Sequence, residues 1–83
     1  MRHAGDKALD ELEPLLQQVR TLPSLREKKR GSFYRGGKGF LHFHEDPAGF
    51  FADIKLDDDY TRMRVSTAAE RKAFLTAARK ALA

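Results

Sequence analysis

Hydrophobic positions follow two different periods along this chain, and the change of period separates predicted helices from predicted strands. Near the N-terminus they recur at helical spacing, which predicts one amphipathic helix. The residues concerned are Leu9, Leu12, Leu15, Leu16 and Val19. Pro14 lies inside this stripe, so either the helix starts near Lys7 and is kinked, or a regular helix starts with Pro14 in its first turn. Asp6 is the expected N-cap of the longer helix, and Pro23 ends the helix in either case.

From Ser32 onward, apolar and polar residues alternate, which is the period of a half-buried strand. Turns rich in glycine or aspartate divide this region into the four strands of an antiparallel meander. The predicted strands are Ser32–Arg35, Phe40–His44, Phe50–Leu56 and Tyr60–Val65. The polar stretch from Pro23 to Gly31 has no clear period, and it is predicted to be a connection leading into the sheet.

The C-terminal segment carries the clearest helix signal. Thr67 and Glu70 have the spacing of a capping box, in which each side chain binds a free backbone N–H of the other residue. An apolar stripe follows at helical spacing, formed by Phe74, Leu75, Ala78, Ala81 and Leu82. The sequence therefore predicts a single α+β domain over residues 1–83. It consists of an N-terminal helix, a four-stranded antiparallel β-meander and a C-terminal helix, with both helices packed on one sheet face.

Pairing the strands through their turns assigns every strand residue to a face. The three predicted turns set Arg35 opposite Phe40, Glu45 opposite Phe50, and Asp57 opposite Tyr60. The predicted core face holds Tyr34, Leu41, Phe43, Phe50, Ala52, Ile54, Leu56, Met63 and Val65. The predicted second face holds Phe33, Arg35, Phe40, His42, His44, Phe51, Asp53, Lys55, Arg62 and Arg64.

Composition limits the classes of function. The chain has 83 residues, which is enough for one domain, and it has no cysteine, so disulfides, thiolate metal sites and cysteine nucleophiles are excluded. No apolar run reaches the ~18 residues of a membrane span, and residues 1–6 lack the apolar region of a secretory signal. We therefore expect a cytoplasmic protein without a membrane partner. Its net charge of +4 is divided between basic and acidic segments.

The second face suggests a binding surface, because it combines aromatic rings with basic groups. Phe33, Phe40 and Phe51 could stack on bases while cations meet phosphates, which is how open sheets bind single-stranded nucleic acid. The cations are Arg35, Lys38, Arg62 and Arg64. A contiguous apolar patch is also typical of a surface covered by a second copy, by a protein partner or by the connection over residues 24–31. Both interpretations stay open.

His42 and His44 lie on the same side of one predicted strand, with Asp53 opposite His42. Two imidazoles and a carboxylate could hold a metal ion. The alternative is a hydrogen-bonded row His42–Asp53–Arg64 across three strands, an ordinary way to satisfy a sheet face. The chain has no convincing catalytic set and no cofactor motif. We therefore expect a non-enzymatic binding module, with metal-assisted activity as the enzymatic alternative.

The hairpin region resembles a known family. Leu25-Arg26-Glu27 followed by Phe33-Tyr34-Arg35-Gly36-Gly37-Lys38-Gly39-Phe40 is similar to the early sheet of MmcQ/YjbR-like proteins. The residues that match the family's hairpin are Phe33, Gly36, Gly37, Lys38 and Phe40. The resemblance implies a frataxin-like layout, with two helices on one side of an antiparallel sheet, and a DNA-binding role. The block Phe40–Gly49 departs from that pattern and resembles a signature of uncharacterised small bacterial proteins.

Overall fold

Two helices and six strands follow one another in a computed structural model that describes all 83 residues. The order along the chain is β1 (Arg2–His3), α1 (Asp6–Val19), β2 (Arg26–Lys29), β3 (Ser32–Arg35), β4 (Lys38–Asp46), β5 (Gly49–Lys55), β6 (Tyr60–Arg64) and α2 (Ala68–Leu82). The strands form one antiparallel sheet in the order β2-β3-β4-β5-β6, and β1 pairs with the remaining length of β4. The α+β class and the antiparallel sheet are confirmed.

The prediction of four strands is wrong, because β1 and β2 also belong to the sheet. Strand β2 lies within the stretch predicted to be a connection, and it forms an edge of the sheet. Its residues are exposed except Glu27, which is half-buried, so it shows no apolar alternation. Charged side chains on an edge strand also discourage pairing with other chains. Strand β1 has only two residues, too few for any period to be recognised.

Helix α1 runs continuously through Pro14, so the longer of the two predicted helices is confirmed and the later start is wrong. Pro14 is exposed, whereas six apolar side chains on the opposite side of the helix are buried, from Ala8 to Val19. Their burial compensates for the backbone hydrogen bond that proline removes. The N-cap is Gly5, one residue before the expected Asp6, and the Gly5 N–H donates to the Glu45 carboxylate at 2.7 Å.

Helix α2 begins at the predicted capping box. The Glu70 N–H donates to Thr67 Oγ1 at 3.1 Å, and the Thr67 N–H donates to Glu70 Oε1 at 2.9 Å. Phe74, Leu75 and Ala78 are buried against the sheet and α1. Neither α1 nor α2 is long and apolar enough to cross a lipid bilayer.

The register between β4 and β5 is the predicted one, from Leu41 opposite Ile54 to Glu45 opposite Phe50. Between β5 and β6 the prediction is wrong by two residues, since Lys55 pairs with Tyr60. The turn is a four-residue loop rather than a tight turn, and it leaves Leu56 exposed outside the core. A shift of two preserves the faces, because side chains alternate with a period of two.

The hairpin of β3 and β4 contains the main error of the prediction. Gly36 and Gly37 alone make the turn, with φ of 57° and 81°, so Arg35 pairs with Lys38. A β-bulge then shifts the register by one, because Tyr34 pairs with Gly39 while Phe33 pairs with Leu41. Such a bulge inserts one residue, here Phe40, into one strand, and it changes the face toward which nearby side chains point.

The bulge reverses the sheet face on which the neighbouring side chains lie. Phe33 and Phe40, assigned to the second face by alternation, are 2% and 4% exposed and belong to the hydrophobic core. Tyr34, assigned to the core face, is instead half-buried on the opposite side, where the Lys28 ammonium lies over its ring.

One core of seventeen buried residues joins both helices to a single face of the sheet. The face opposite the helices, called the open face below, is covered by no other element. It carries His3 from β1, Arg26 and Lys28 from β2, Tyr34 from β3, His42 and His44 from β4, Phe51, Asp53 and Lys55 from β5, and Tyr60, Arg62 and Arg64 from β6. Both helices thus lie on one side, as expected.

Candidate functional site

Asp53 is the centre of a polar cluster on the open face. Its carboxylate accepts two hydrogen bonds from Arg62, Nε to Oδ1 at 2.8 Å and Nη2 to Oδ2 at 2.9 Å. His44 Nε2 lies 3.0 Å from Oδ2, and His42 Nε2 lies 3.5 Å from the same atom. The strands explain this convergence, because Asp53 pairs with His42 on one side and with Arg62 on the other.

The predicted row His42–Asp53–Arg64 is therefore wrong in its last member. Arg62 takes that position because of the two-residue shift in register. Arg64 instead pairs with Phe51 and reaches the start of α2, where it contacts the Glu70 carboxylate at 3.1 Å and the Ala48 carbonyl at 2.9 Å. Arg64 thus connects the sheet to the capping box of α2 and lies outside the cluster.

His3 joins the same cluster, and the sequence reasoning missed it. Pairing of β1 with β4 puts His3 opposite His44. The His3 ring centroid lies 4.8 Å from that of His44 and 5.5 Å from that of His42, and the latter two are 4.9 Å apart. All three histidines of the chain therefore meet on one patch of the open face. Only one sequence signal pointed to His3. The chain has three histidines, and the other two were predicted on the same side of one strand.

The surroundings of the cluster shift two pKa values in the same direction. Hydrogen bonding from Arg62 lowers the pKa of Asp53 from its ordinary value, although burial opposes this, and the nearby His44 acts in the same sense as Arg62. Burial lowers the pKa of His42, and the neighbouring His44 adds to this effect. Both shifts favour the anionic form of the Asp53 carboxyl and the neutral form of the His42 imidazole.

A second feature of the open face combines two tyrosines with two lysines. Tyr34 and Tyr60 lie on either side of Gly39, where a Cβ would come within 2.6 Å of the Tyr60 hydroxyl. The Lys28 ammonium lies 4.6 Å from the Tyr34 ring centroid, and the Lys55 ammonium lies 5.6 Å from that of Tyr60. The predicted second face contained neither tyrosine: the bulge moved Tyr34 there from the predicted core face, and Tyr60, in the predicted fourth strand, was not assigned to either face.

The remaining predicted site residues are not members of the cluster. Phe33 and Phe40 are core residues, and Phe51 is half-buried on the open face beside His44. Arg35 donates to the Ala81 carbonyl at 3.1 Å, so it is directed toward α2, and Lys38 is exposed at the hairpin. The largest surface depression is elsewhere, between α1 and α2, and it contains no cluster of titratable groups that could bind a metal.

Comparison of the chain with protein-family models, with curated proteins and with solved structures gives no match. The resemblance to MmcQ/YjbR-like proteins thus stays a prediction. In the structure, the residues that carry it build a hairpin, because Phe33 and Phe40 fill the core and Gly36-Gly37 form the turn. The likeness therefore concerns the construction of the fold and contains no member of the polar cluster.

Proposed function

We propose that this protein is a non-enzymatic binding module whose open face binds single-stranded nucleic acid. The observation that carries this proposal is the composition of that face. It has five arginine and lysine side chains and a single carboxylate, interleaved with aromatic rings, and no other element of the chain covers it. Such a face suits a partner that offers phosphates and flat bases together.

The uncompensated charge lies on three side chains. Arg62 is neutralised by Asp53, and Arg64 is paired with Glu70. Arg26, Lys28 and Lys55 have no carboxylate within ion-pair distance. They lie near the two tyrosines, since Arg26 pairs with Tyr34 and Lys55 pairs with Tyr60. Phosphates would therefore be attracted to the part of the face that also supplies the rings.

The rings offer stacking positions at two points across the sheet. Tyr60 is 43% exposed and Tyr34 is half-buried, so part of each ring is accessible from the open face. Gly39 lies between them and has no side chain to fill the space. A shallow depression is lined here by His3, Ser32, Tyr34, Gly39, His42 and Tyr60. Bases stacked on the tyrosines would contribute about 1–3 kcal/mol each.

Charge also favours a polyanion over a second copy of the chain. Burial of Phe33 and Phe40 removes two of the three apolar rings that suggested a covered interface. Two copies joined through this face would each bring five cations and one carboxylate into the interface, and repulsion between like charges is unfavourable. A nucleic acid strand avoids this repulsion.

The experiment is a titration of fluorescently labelled, short single-stranded oligonucleotides with the full chain, followed by anisotropy at several salt concentrations and with a chelator present. We expect the binding constant to fall as the salt concentration rises. A plot of the logarithm of the binding constant against the logarithm of the salt concentration should have a slope near −2 if three phosphates are contacted, that is about −0.7 for each. Tyr34→Ala and Tyr60→Ala should each weaken binding by about fivefold to a hundredfold. Lys28→Ala should reduce the slope by about 0.7.

The matched control is Lys72→Ala, which removes an exposed cation from α2 on the other side of the molecule. It should leave both the affinity and the slope nearly unchanged. Absence of binding at low salt would contradict the proposal, as would equal losses in Lys28→Ala and Lys72→Ala. Sedimentation that shows a dimer, abolished by Tyr34→Ala or Tyr60→Ala, would assign the open face to a second copy instead.

A further inference from the structure

We propose that His42, His44 and Asp53 bind a divalent transition-metal ion of the zinc class, with His3 completing the site as the fourth ligand. This inference goes beyond nucleic acid binding and does not depend on it. It rests on His42, His44 and Asp53, whose donor atoms all lie within 4.8 Å of one another, and on His3 of β1, whose ring lies beside both histidine rings.

The first argument is the spacing of the donor atoms. Ligands of a tetrahedral zinc ion with bonds of 2.0–2.1 Å are about 3.3 Å apart. Oδ2 of Asp53 lies 3.0 Å from His44 Nε2 and 3.5 Å from His42 Nε2, so two edges of such a tetrahedron are already present. One ring nitrogen of His42 lies within 4.8 Å of one of His44, so ring rotations that shorten this distance would complete the third edge.

The second argument is the spacing of the three imidazole rings. A ring centroid lies about 3.2 Å from a metal bound in the ring plane, and tetrahedral geometry then separates two centroids by about 5.2 Å. The three observed separations are 4.8, 4.9 and 5.5 Å. His3 is exposed and is held beside His44 by pairing of β1, and the neighbouring Ala4 N–H donates to the Phe43 carbonyl at 3.0 Å. Its exposed side chain is therefore placed to rotate toward the ion.

Arg62 fits the site as a support for Asp53. A ligating carboxylate is usually held by a hydrogen bond from a neighbouring group, and Arg62 supplies two. On metal binding, Oδ2 and His44 Nε2 would each bond to the ion instead of contacting each other. The neutral His44 ring would then carry its proton on Nδ1. The guanidinium charge opposes the cation, so this site should be weaker than the same ligands without Arg62.

The donor set determines the class of ion. Three imidazole nitrogens and one carboxylate oxygen suit zinc, cobalt, nickel or copper, whereas magnesium and calcium prefer oxygen ligands. Four protein ligands leave no open position, which is typical of structural sites rather than catalytic ones. Metal binding would therefore fasten β1 to the sheet, in agreement with a binding module rather than an enzyme.

The test is calorimetric titration of the chelator-treated full chain with Zn²⁺, together with the visible spectrum of the Co²⁺ complex, without nucleic acid. We expect one ion per chain, a tetrahedral Co²⁺ spectrum and shifts of all three histidine ring signals. His42→Ala, His44→Ala and Asp53→Asn should each weaken binding by about tenfold or more. His3→Ala should weaken it less and change the Co²⁺ spectrum, and Mg²⁺ should not compete.

Arg64→Ala is the matched control, since it removes a cation from the same face and strand as Arg62 but outside the cluster. It should bind Zn²⁺ as the unchanged chain does. Circular dichroism identifies any variant that fails to fold, and the Co²⁺ spectrum of the unchanged chain tests the site independently of all variants. Absence of Zn²⁺ binding, an octahedral Co²⁺ spectrum, or folded His42→Ala and His44→Ala chains with undiminished affinity would each overturn the proposal.

Discussion

The two faces of the sheet are built from alternate residues of the same strands, yet they are held together by different forces. On the face toward the helices, Leu41, Phe43, Ala52 and Ile54 are at most 2% exposed and pack into one apolar core. On the open face, the side chains between them are held by hydrogen bonds and charge, above all around Asp53. Adjacent positions in β4 and β5 therefore build an apolar core on one face and a polar surface on the other.

This difference has an energetic consequence. Burying a large apolar side chain contributes about 1.5–3 kcal/mol, whereas an exposed ion pair contributes about 0–1 kcal/mol. Substitutions on the helix side should therefore mainly reduce the free energy of unfolding. Substitutions on the open face should leave the fold largely intact and mainly change what the protein binds, with Asp53 as the exception because its side chain is 13% exposed.

The largest difference in the free energy of unfolding is expected between substitutions of Phe33 and of its neighbour Tyr34. Phe33→Ala would leave a cavity in the core and should cost about 3–5 kcal/mol, enough to unfold much of a small domain. Tyr34→Ala should cost far less, since the ring lies on the open face. Urea denaturation followed by circular dichroism measures both. Equal losses would mean that the bulge does not direct Phe33 into the core.

Asp53→Ala should have the next largest effect. It leaves His44, which is 9% exposed, and Arg62 without their shared partner, and loss of such hydrogen bonds should cost about 1–3 kcal/mol. Arg62→Ala should cost less, because the Arg62 side chain is half exposed and solvent can replace it. Thermal denaturation of both variants tests this order, and a greater loss in Arg62→Ala would reverse the roles assigned to the two residues.

A smaller effect concerns the ion pairs on the helix side, where Glu13 accepts from Arg20 at 2.7 Å and from Arg30 at 2.9 Å. The Arg20 and Arg30 hydrogen bonds lower the pKa of Glu13 from 4.5 to about 2. A carboxyl whose pKa is lower in the folded state stabilises the protein above its unfolded pKa and loses this contribution as the pH falls through the folded pKa.

The unchanged chain should therefore be more stable than Glu13→Gln at neutral pH, and the difference in melting temperature should shrink as the pH falls from 4.5 toward 2. Melting temperatures of both chains over this range provide the measurement. A difference that stays constant with pH would indicate that Glu13 acts through packing rather than through its charge.

The smallest effect on stability is expected from Gly39→Ala on the open face. The new methyl group would meet the Tyr60 hydroxyl, the end of a movable side chain, so stability should change by about 1 kcal/mol or less. The Tyr60 ring must shift, which should alter its resonances and weaken oligonucleotide binding. A Tyr60 signal that does not move would show that the two side chains are farther apart in solution.

Local sequence signals predicted some elements well. The capping box at Thr67 gave the start of α2, and the Asp46–Gly49 turn gave the complete register of β4 against β5. That register by itself pairs His42 with Asp53. Short-range signals of this kind succeed because the residues that determine the geometry are themselves close in sequence.

Other features depended on contacts between distant parts of the chain. Strand β2 is bound to Arg20, the C-cap of α1, through Glu27 at 2.6 Å, and it has too little apolar character to be recognised alone. His3 reaches the cluster only because β1 pairs with a part of β4 that β3 leaves free. Residues 1–6 show no periodicity that could indicate the pairing of β1 with β4.

By itself the sequence determined the α+β class, both helices, four of the six strands and the pairing of His42 with Asp53. The tertiary structure decided which side chains face the helices in the β3–β4 hairpin, and which cation binds Asp53. The physical reason is that strand faces alternate with a period of two, so one bulged residue at Phe40 reverses the faces predicted for Phe40 and for the residues of β3. Packing of Phe33 and Phe40 in the core selects that bulge, and with it the aromatic side chains left on the open face.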